Sequence, residues 1–410
     1  MKSFDLITPE GTRDLLFDEC VARKREEDRL RYLFIMNGYS EVITPALEFY
    51  DVFNMKARSF RQESMYKLVD GKGRLMVMRP DSTMPIARIV ATRLKDSKKP
   101  LKLFYSQNIY RCNPKLSGRD DEILQTGIEI IGGDEKRADI EALSLAAKVL
   151  CECGSTDTRL EIGDNTFYKY LLYALSLQED EETVRMLIES KNTPELKSWI
   201  NEKTEKITDD NKKKYAELLL ALPKLFGGEE VFETAGQLFS NTELADRLEE
   251  LKQTYNALCR LYDKNSITVD LGLVNKAEYY TGIIFRGYIE EYGQAVISGG
   301  RYDTLIGSFG AVDSGAIGFA ANVNAIAAAS LKRAEGPIAK RADALVFAKD
   351  GFLTEGIRHC NDMTDAGIIT EFCTCSDEES AIAYAKDNNI PKVIVVDENT
   401  KVIEVDKGTE

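Results

Sequence analysis

Long strand-like segments follow one another along this chain with few helices between them, and this order constrains the fold more than any other feature. The segments RLMVMR, LKLFYSQNIYR and ILQTGIEIIG occupy 74–79, 101–111 and 123–132, and similar segments return later as RLEIGD, SITVDLG, YYTGIIFRGYI and QAVISGG. Helical patterns at 82–95 and 137–153 alternate with the first three. Because a parallel sheet needs a crossover helix between strands, this order favours a mixed, largely antiparallel sheet. We therefore predict an α+β fold with helices flanking one large sheet.

The middle and the end of the chain differ in pattern from this core. Residues 165–264 are helical throughout, with stretches such as KKKYAELLLALPKLF that carry apolar residues three to four positions apart. We interpret them as a helical insertion into a core formed by 1–164 and 265–330. Residues 341–410 alternate short strands with two helices, and they predict a small C-terminal α/β module.

Charge and composition exclude several classes of function. The net charge of −14 opposes approach to phosphate backbones, so we do not expect nucleic-acid binding. No apolar run reaches the roughly 20 residues of a membrane helix. The start of the chain lacks the basic segment followed by an apolar segment that a signal peptide carries. We expect a cytoplasmic protein without membrane contact. The eight cysteines form no Cys-x-x-Cys motif and there is one histidine, which predicts reduced thiols, no metal site and no Ser–His–Asp triad.

Four short motifs supply the groups that an α-amino acid requires of a binding site. They are RPDST at 79–83, RCNPKLSGRDDEILQTGIE at 111–129, LVNKAEYYTGIIF at 273–285 and SGGRYD at 298–303. An amino acid needs carboxylates for its ammonium group, a cation for its carboxylate and polar partners for its side chain. In this order the motifs resemble the catalytic core of histidyl-tRNA synthetase, a class II aminoacyl-tRNA synthetase.

That resemblance implies a histidine-binding site. The candidate residues are Asp81, Thr83, Arg111, Gln125, Glu129, Tyr279 and Tyr280. The family's motifs imply that Asp81 and Thr83 take the amino group, and that Gln125 and Glu129 contact the amino group and the imidazole. They also imply that both tyrosines help to bind the imidazole and that Arg111 touches the carboxylate. Because Gln125 and Glu129 lie four apart on one predicted strand, we expect both side chains on one face.

Two positions depart from the synthetase pattern. Asn275 and Ala325 stand where that family carries arginines. Fixed cations aimed at the α-phosphate are the main device for forming an adenylate. Their replacement predicts a chain with no catalytic residue and no cofactor, which retains the pocket but does not aminoacylate tRNA.

A closer resemblance is to the regulatory subunits of ATP phosphoribosyltransferase, which are degenerate relatives of the synthetase. It rests on RPDSTMPIARIVATR, VDLGLVNKAEYYTGIIF, SGGRYDTL and LPKLFGGEEVFETA, and it covers about 8–329. It implies a subunit that the short-form catalytic subunit requires for activity in the first step of histidine biosynthesis. It also implies feedback inhibition by L-histidine within a hetero-octamer. The stretch GYSEVITPALEF resembles motif 1 of class II synthetases, which implies a self-dimer through that region.

Three alternatives stay open on the sequence alone. The first is a histidyl-tRNA synthetase-like enzyme, which would need both arginines and a basic surface for tRNA. The second is a pseudo-synthetase that binds tRNA or another protein for a different regulatory purpose. The third is a scaffold whose pocket has lost its affinity for histidine, against which Asp81, Gln125 and Glu129 argue.

Overall fold

The computed structural model of the chain describes residues 4–54, 60–114, 119–204, 209–240, 242–274 and 279–405. The chain divides into two compact units, Met1–Ala334 and Glu335–Glu410. In the described part, no helix is both long and apolar enough to span a membrane.

The first unit combines ten helices and twelve strands within its described residues. The helices are α1 Asp18–Met36, α2 Thr83–Thr92, α3 Glu135–Glu152, α4 Asn165–Leu175, α5 Glu181–Glu189, α6 Thr193–Thr204, α7 Asp210–Ala221, α8 Glu230–Phe239, α9 Ala245–Cys259 and α10 Val323–Arg333. The strands are β1 Ser40–Glu41, β2 Leu47–Phe49, β3 Lys67–Val69, β4 Leu75–Met78, β5 Leu101–Tyr110, β6 Glu122–Ile131, β7 Thr158–Asp164, β8 Phe226–Gly227, β9 Ile267–Asp270, β10 Ile283–Ile289, β11 Tyr292–Arg301 and β12 Ala316–Asn322.

One nine-stranded sheet organises this unit, in the order β1-β5-β6-β12-β11-β10-β7-β9-β8. Only the β1–β5 and β7–β9 pairs are parallel, and every other neighbouring pair is antiparallel. The predicted mixed, largely antiparallel sheet is therefore confirmed. A separate sheet of three strands has the order β2-β4-β3.

The large sheet has two unlike faces because successive side chains of a strand point to opposite sides. One face carries large apolar residues such as Phe104, Ile128 and Phe319, which form a single core with side chains of α1, α3 and α10. The other face carries small and polar residues in its middle, and this is the face on which the candidate site lies. The helices α4 to α9 contribute to the same apolar core.

The second unit is a small α/β module. Its strands are β13 Ala344–Ala348, β14 Thr370–Phe372, β15 Lys392–Val396 and β16 Lys401–Glu404, and its helices are α11 Leu353–Asp365 and α12 Glu378–Asp387. The strand order is β14-β13-β15-β16. The three strands β14, β13 and β15 are parallel, with α11 and α12 as their crossover helices, and β16 closes the sheet antiparallel to β15.

The elements differ from the sequence pattern at three places. Strand β8, Phe226–Gly227, lies within the stretch 165–264 that was predicted to be helical throughout, and it pairs with β9 at the edge of the large sheet. Strand β3 was not predicted, because all three of its residues are exposed and it shows no alternation. Strand β10 begins at Ile283, so Tyr279 and Tyr280 precede it rather than opening it.

The aromatic contacts of α1 generate a test of the core. Phe34 is fully buried, and its ring centroid lies 6.0 Å from the rings of both Phe104 and Phe319. We expect Phe34→Ala to lower the free energy of unfolding by about 3–5 kcal/mol, because it removes a buried aromatic ring. Urea unfolding followed by the fluorescence of the single tryptophan, Trp199 in α6, reports on this unit.

The matched control is Tyr32→Ala on the same helix, where the side chain is 66% exposed. We expect this change to shift the unfolding free energy by less than about 0.5 kcal/mol. Equal losses for the two variants would contradict the assignment of this helix face to the core.

Candidate functional site

The start of α2 and the middle of β6 bring the first three candidate residues together. Asp81 precedes α2, and its Oδ1 accepts a hydrogen bond from the Met84 amide at 2.9 Å, which satisfies an unpaired donor at the helix start. Thr83 is the first residue of α2, and its hydroxyl donates to Oε1 of Glu129 at 2.8 Å. The N-terminal end of a helix also favours nearby negative charge. Asp81 and Glu129 are buried, with 8% and 1% of their surface exposed.

Two glycines make the space that the site side chains occupy. A Cβ atom on Gly318 would lie 1.8 Å from Oε2 of Glu129, so only glycine fits beneath this carboxylate. A Cβ atom on Gly127 would lie 2.6 Å from the hydroxyl oxygen of Tyr105. The small residues of β6 and β12 therefore let Glu129 and Tyr105 lie flat across neighbouring strands.

Tyrosine side chains enclose the two carboxylates. Tyr302 donates its hydroxyl hydrogen to Oε2 of Glu129 at 2.5 Å, and Tyr279 donates to Oδ2 of Asp81 at 3.3 Å. The ring of Tyr279 meets the rings of Tyr280 and Tyr302 edge-on, at centroid distances of 4.9 and 5.9 Å. Burial raises the pKa of the buried tyrosines, so their hydroxyls stay protonated and can donate.

The electrostatics of the two carboxylates follow from their burial. The pKa of Glu129 is raised to about 8, mainly because the side chain is removed from water. The hydrogen bonds from Tyr302 and Thr83 lower this pKa, and the charge of Asp81 raises it. Burial also raises the pKa of Asp81, against the Met84 amide and the charge of Arg111. Among the described residues, no cation lies within 4.0 Å of either carboxylate. A bound cation would stabilise both as anions.

Arg111 and Gln125 lie at the edges of this cluster. Arg111 donates from Nε to the Pro80 carbonyl oxygen at 2.8 Å, and its guanidinium lies 5.9 Å from the ring centroid of Phe60. Gln125 lies on the same face of β6 as Glu129, roughly 13 Å along the strand. Its side chain is half-buried and makes no hydrogen bond to a residue that the structure describes.

A row of small residues forms the floor beside the cluster. The strand register sets Tyr105, Gly127, Ala320, Ser298 and Arg286 opposite one another on five successive strands. The three middle residues are small, while Tyr105 and Arg286 stand at the two ends. At about 4.8 Å between strands, the row spans roughly 19 Å, which is longer than an amino acid needs.

Five of the seven predicted residues therefore meet in one buried cluster, with Arg111 acting on it electrostatically and Gln125 farther along the floor. The sequence interpretation missed Tyr105 and Tyr302. Tyr302 lies within the quoted SGGRYD motif, which was the signal for it. Tyr105 is opposite Gly127 in the strand register, so a search for polar side chains facing glycines could have found it.

The two departures from the synthetase pattern lie in different parts of the chain. Asn275 lies outside the described residues. Ala325 is 2% exposed at the start of α10, its amide donates to Oδ1 of Asn322 at 3.1 Å, and its methyl group joins the apolar core. Its neighbour Asn324 bonds the backbone of β6 at Leu124 and Glu122.

Comparison with known proteins decides the family. A family model described as histidyl-tRNA synthetase matches residues 11–326. The ATP phosphoribosyltransferase regulatory subunit of Bacillus cereus is 40% identical over 395 residues, covering 96% of this chain and 92% of that protein. The subunit of the same name from Clostridium acetobutylicum is 39% identical over 397 residues, covering 97% and 96%. The chain belongs to the ATP phosphoribosyltransferase regulatory subunit family.

Solved structures agree with this family and with the predicted fold class. A crystal structure from Bacillus halodurans, titled as an ATP phosphoribosyltransferase regulatory subunit/histidyl-tRNA synthetase, matches with a TM-score of 0.80 and 26% identity, covering 96% of this chain and 99% of that one. The histidyl-tRNA synthetase of Nostoc matches with a TM-score of 0.72, covering 98% and 95%, and at 17% identity it supports the fold alone. The class II synthetase-like prediction is confirmed.

The raised pKa of Glu129 generates a pH prediction. Between about pH 4.5 and 8 the unfolded carboxyl group is ionised while the folded one holds its proton, so stability falls as the pH rises. We expect Glu129→Gln, which cannot ionise, to become more stable relative to the natural chain by up to about 1.4 kcal/mol per pH unit in this window. The difference should level off above pH 8. Urea unfolding at one-unit steps of pH measures it.

The control is Glu233→Gln, at an exposed position of α8. Its unfolding free energy should differ from that of the natural chain by less than about 0.5 kcal/mol, because the side chain is exposed. A Glu129→Gln difference that stays constant from pH 5 to 8 would show that the folded carboxyl group is ionised there like the unfolded one, and would contradict the raised pKa of Glu129.

Proposed function

We propose that this chain is a non-catalytic regulatory subunit of ATP phosphoribosyltransferase. It is required for the activity of the short-form catalytic subunit, and it carries feedback inhibition by L-histidine in the first step of histidine biosynthesis. The observation that carries the proposal is the pair of buried carboxylates, Asp81 and Glu129, with tyrosine hydroxyls around them and no described cation beside them. The names of its relatives support the regulatory part.

The chemistry of the cluster suits an amino acid with a basic side chain. The ammonium group would be held by Asp81 and Thr83, and the imidazole by Glu129 with Tyr279 and Tyr280. Arg111 would meet the α-carboxylate, because its charge opposes the rise in the pKa of Asp81 and therefore acts on the same space. Gln125 would bind at the far part of the floor.

Ligand binding and proton release are linked in this proposal. A cation beside Glu129 stabilises the ionised form and lowers its pKa from about 8, so histidine binding near pH 7 should expel a proton from this carboxyl group. Regulation then requires that histidine binds one conformation of the assembly more tightly than the other, which shifts the assembly away from the active state. Within a hetero-octamer the effect would reach every catalytic subunit.

The proposal excludes aminoacylation. Forming an adenylate needs fixed cations at the α-phosphate, and each oriented group of that kind contributes several kcal/mol. Ala325 is an apolar part of the core, and the net charge of −14 opposes tRNA binding. We therefore propose that Asn275 and Ala325 mark the loss of synthetase chemistry, with ATP and tRNA both unbound.

Calorimetric titration with L-histidine tests the site. We expect saturable binding to the natural chain, a loss of affinity of at least tenfold in Glu129→Gln because the charge opposite the ligand is removed, and no response to ATP. In buffers of different ionisation enthalpy, the natural chain should release a proton on binding at pH 7 and the variant should not. With the short catalytic subunit present, Glu129→Gln should sustain activity but resist histidine inhibition.

Glu161→Gln is the matched control. Glu161 is also buried on this face of the sheet, with a raised pKa and a hydrogen bond from a tyrosine, Tyr288, at 3.2 Å. It should bind histidine like the natural chain. Tight ATP binding would overturn the non-catalytic proposal in favour of a synthetase-like enzyme. Histidine binding that survives Glu129→Gln would place the effector elsewhere.

An exposed apolar surface supports the self-dimer that the motif 1 resemblance implies. In the sheet β2-β4-β3, the register sets Leu47 opposite Met78, and Phe49 and Leu68 opposite Met76, so all five side chains share one face. Leu47, Phe49 and Leu68 are 45%, 44% and 42% exposed. Contiguous exposed apolar surface of this kind marks interaction sites in soluble proteins. We propose that a second copy of the chain covers it.

Charge introduced on this face tests the dimer. We expect Phe49→Asp to convert the chain to a monomer in sedimentation velocity experiments, because a buried, unpaired carboxylate opposes association. Leu261→Asp, at an apolar position that is 61% exposed elsewhere in the first unit, should leave the dimer intact. A dimer that persists in Phe49→Asp at micromolar concentration would rule out this face.

A further inference from the structure

The start of helix α4 holds the backbone of Tyr280, one of the two site tyrosines that precede β10. The carbonyl oxygen of Tyr280 accepts two hydrogen bonds, from Nδ2 of Asn165 at 3.0 Å and from Nζ of Lys169 at 2.7 Å. Asn165 is 3% exposed, and its backbone amide also donates to the carbonyl oxygen of Gly282 at 3.0 Å. The first two turns of α4 therefore contact a segment of the candidate site that is more than 100 residues away in sequence.

The end of β11 and the turn after it hold the same segment from another direction. The backbone amide of Thr281 donates to the carbonyl oxygen of Arg301 at 2.8 Å, and its hydroxyl donates to Oδ2 of Asp303 at 2.8 Å. A Cβ atom on Gly282 would lie 3.2 Å from Cδ of Arg301, so the backbone packs closely here. Residues 280–282 are therefore fixed between α4 and the end of β11.

The two donors at the Tyr280 carbonyl do more than satisfy a buried acceptor. A single hydrogen bond is enough to pair a buried carbonyl oxygen. Lys169 adds a charged donor, and hydrogen bonds from charged donors are stronger than those from neutral ones. Two donors on one oxygen fix the plane of the peptide group that follows Tyr280. Because side chains occupy few staggered rotamers, this also restricts the direction of the Tyr280 ring.

The position of Tyr280 affects the other groups of the candidate site. Its ring lies 4.9 Å from the ring of Tyr279, whose hydroxyl donates to Oδ2 of Asp81 at 3.3 Å. On the sheet side, a Cβ atom on Gly300 would lie 2.9 Å from Cδ1 of Tyr280, so the ring packs directly against the strand. A shift of the Tyr280 backbone would therefore move both rings and change the contact with Asp81.

We propose that Asn165 and Lys169 are positioning residues for histidine binding, and that they act through Tyr280. The inference rests on the proposed histidine site and adds α4 to the parts of the chain on which its affinity depends. Side chains of α4 share one apolar core with those of α5 to α9, so a displacement of these helices would change the affinity for histidine. By linkage, histidine binding would in turn stabilise one position of α4.

Calorimetric titration of the full chain with L-histidine tests the two residues. Lys169→Met keeps the aliphatic part of the side chain but removes the donor, and it should weaken binding about fivefold because Tyr280 is held less firmly. Asn165→Ala should weaken binding to a similar extent. Lys169→Arg keeps a charged donor and should restore most of the affinity. Lys197→Met, the same change at an exposed position of α6, should bind histidine like the natural chain.

A double-mutant cycle separates positioning from a general effect on the fold. Tyr280→Leu removes the ring through which Lys169 is proposed to act, so Lys169→Met should weaken histidine binding by less than about twofold in that background. Hydrogen exchange gives a second readout. Histidine should slow the exchange of backbone amides in α4 of the natural chain, and this protection should be reduced in Lys169→Met.

The outcomes distinguish this inference from the proposed function. Histidine binding that is lost in Glu129→Gln but unchanged in both Lys169→Met and Asn165→Ala would overturn the inference alone. Losses of affinity that add fully in the variant carrying both Lys169→Met and Tyr280→Leu would also overturn the inference alone, because Lys169 would then act independently of Tyr280. A natural chain that binds no histidine would overturn the proposed function, and the inference with it.

Discussion

The burial of Asp81 and Glu129 under the large sheet is the constraint on which the site depends. Carboxylates out of water must be held by donors or hold a proton, and here Thr83, Tyr302 and Tyr279 supply the donors. Those donors come from the start of α2, the end of β11 and the segment before β10. The hydrogen bonds to Asp81 and Glu129 therefore hold together three parts of the chain that are far apart in sequence.

The two faces of the sheet differ in the size of their side chains. Large apolar side chains fill one face and form a continuous core with the helices, which is where folding free energy comes from. The other face carries Gly127, Gly318 and Ser298, and the side chains of Tyr105 and Glu129 lie over the two glycines. A residue as small as alanine at Gly318 would collide with Glu129, so the face that carries the candidate site is built from residues that contribute little to packing.

The sequence allowed the large sheet and its face alternation to be predicted because long strands such as β5 and β6 carry a clear pattern of side chains. The resemblance of the motifs allowed Asp81, Thr83 and Glu129 to be predicted as site residues. The hydrogen bond between Thr83 and Glu129 could not be predicted, because it depends on how α2 packs against β6. Tyr105 was missed because a tyrosine within an apolar strand predicts a position in the hydrophobic core. All three residues of β3 are exposed, and β10 begins only at Ile283. Both features depend on tertiary packing, which the order of apolar and polar residues along a strand does not reveal.

Binding and activating an amino acid make different physical demands, and the proposed function separates them. Binding needs charges opposite the ligand's own charges, and Asp81, Glu129 and Arg111 can provide these within one buried region. Activation needs additional fixed cations aimed at a phosphate group that develops charge in the transition state. At Ala325 a methyl group lies in the apolar core, and an arginine there would need a buried partner to offset its desolvation. Under the proposed function, a core residue in place of such a cation would remove the chemistry without disturbing the carboxylates on the other face of the sheet, so a synthetase-like pocket would become a sensor while its fold is kept.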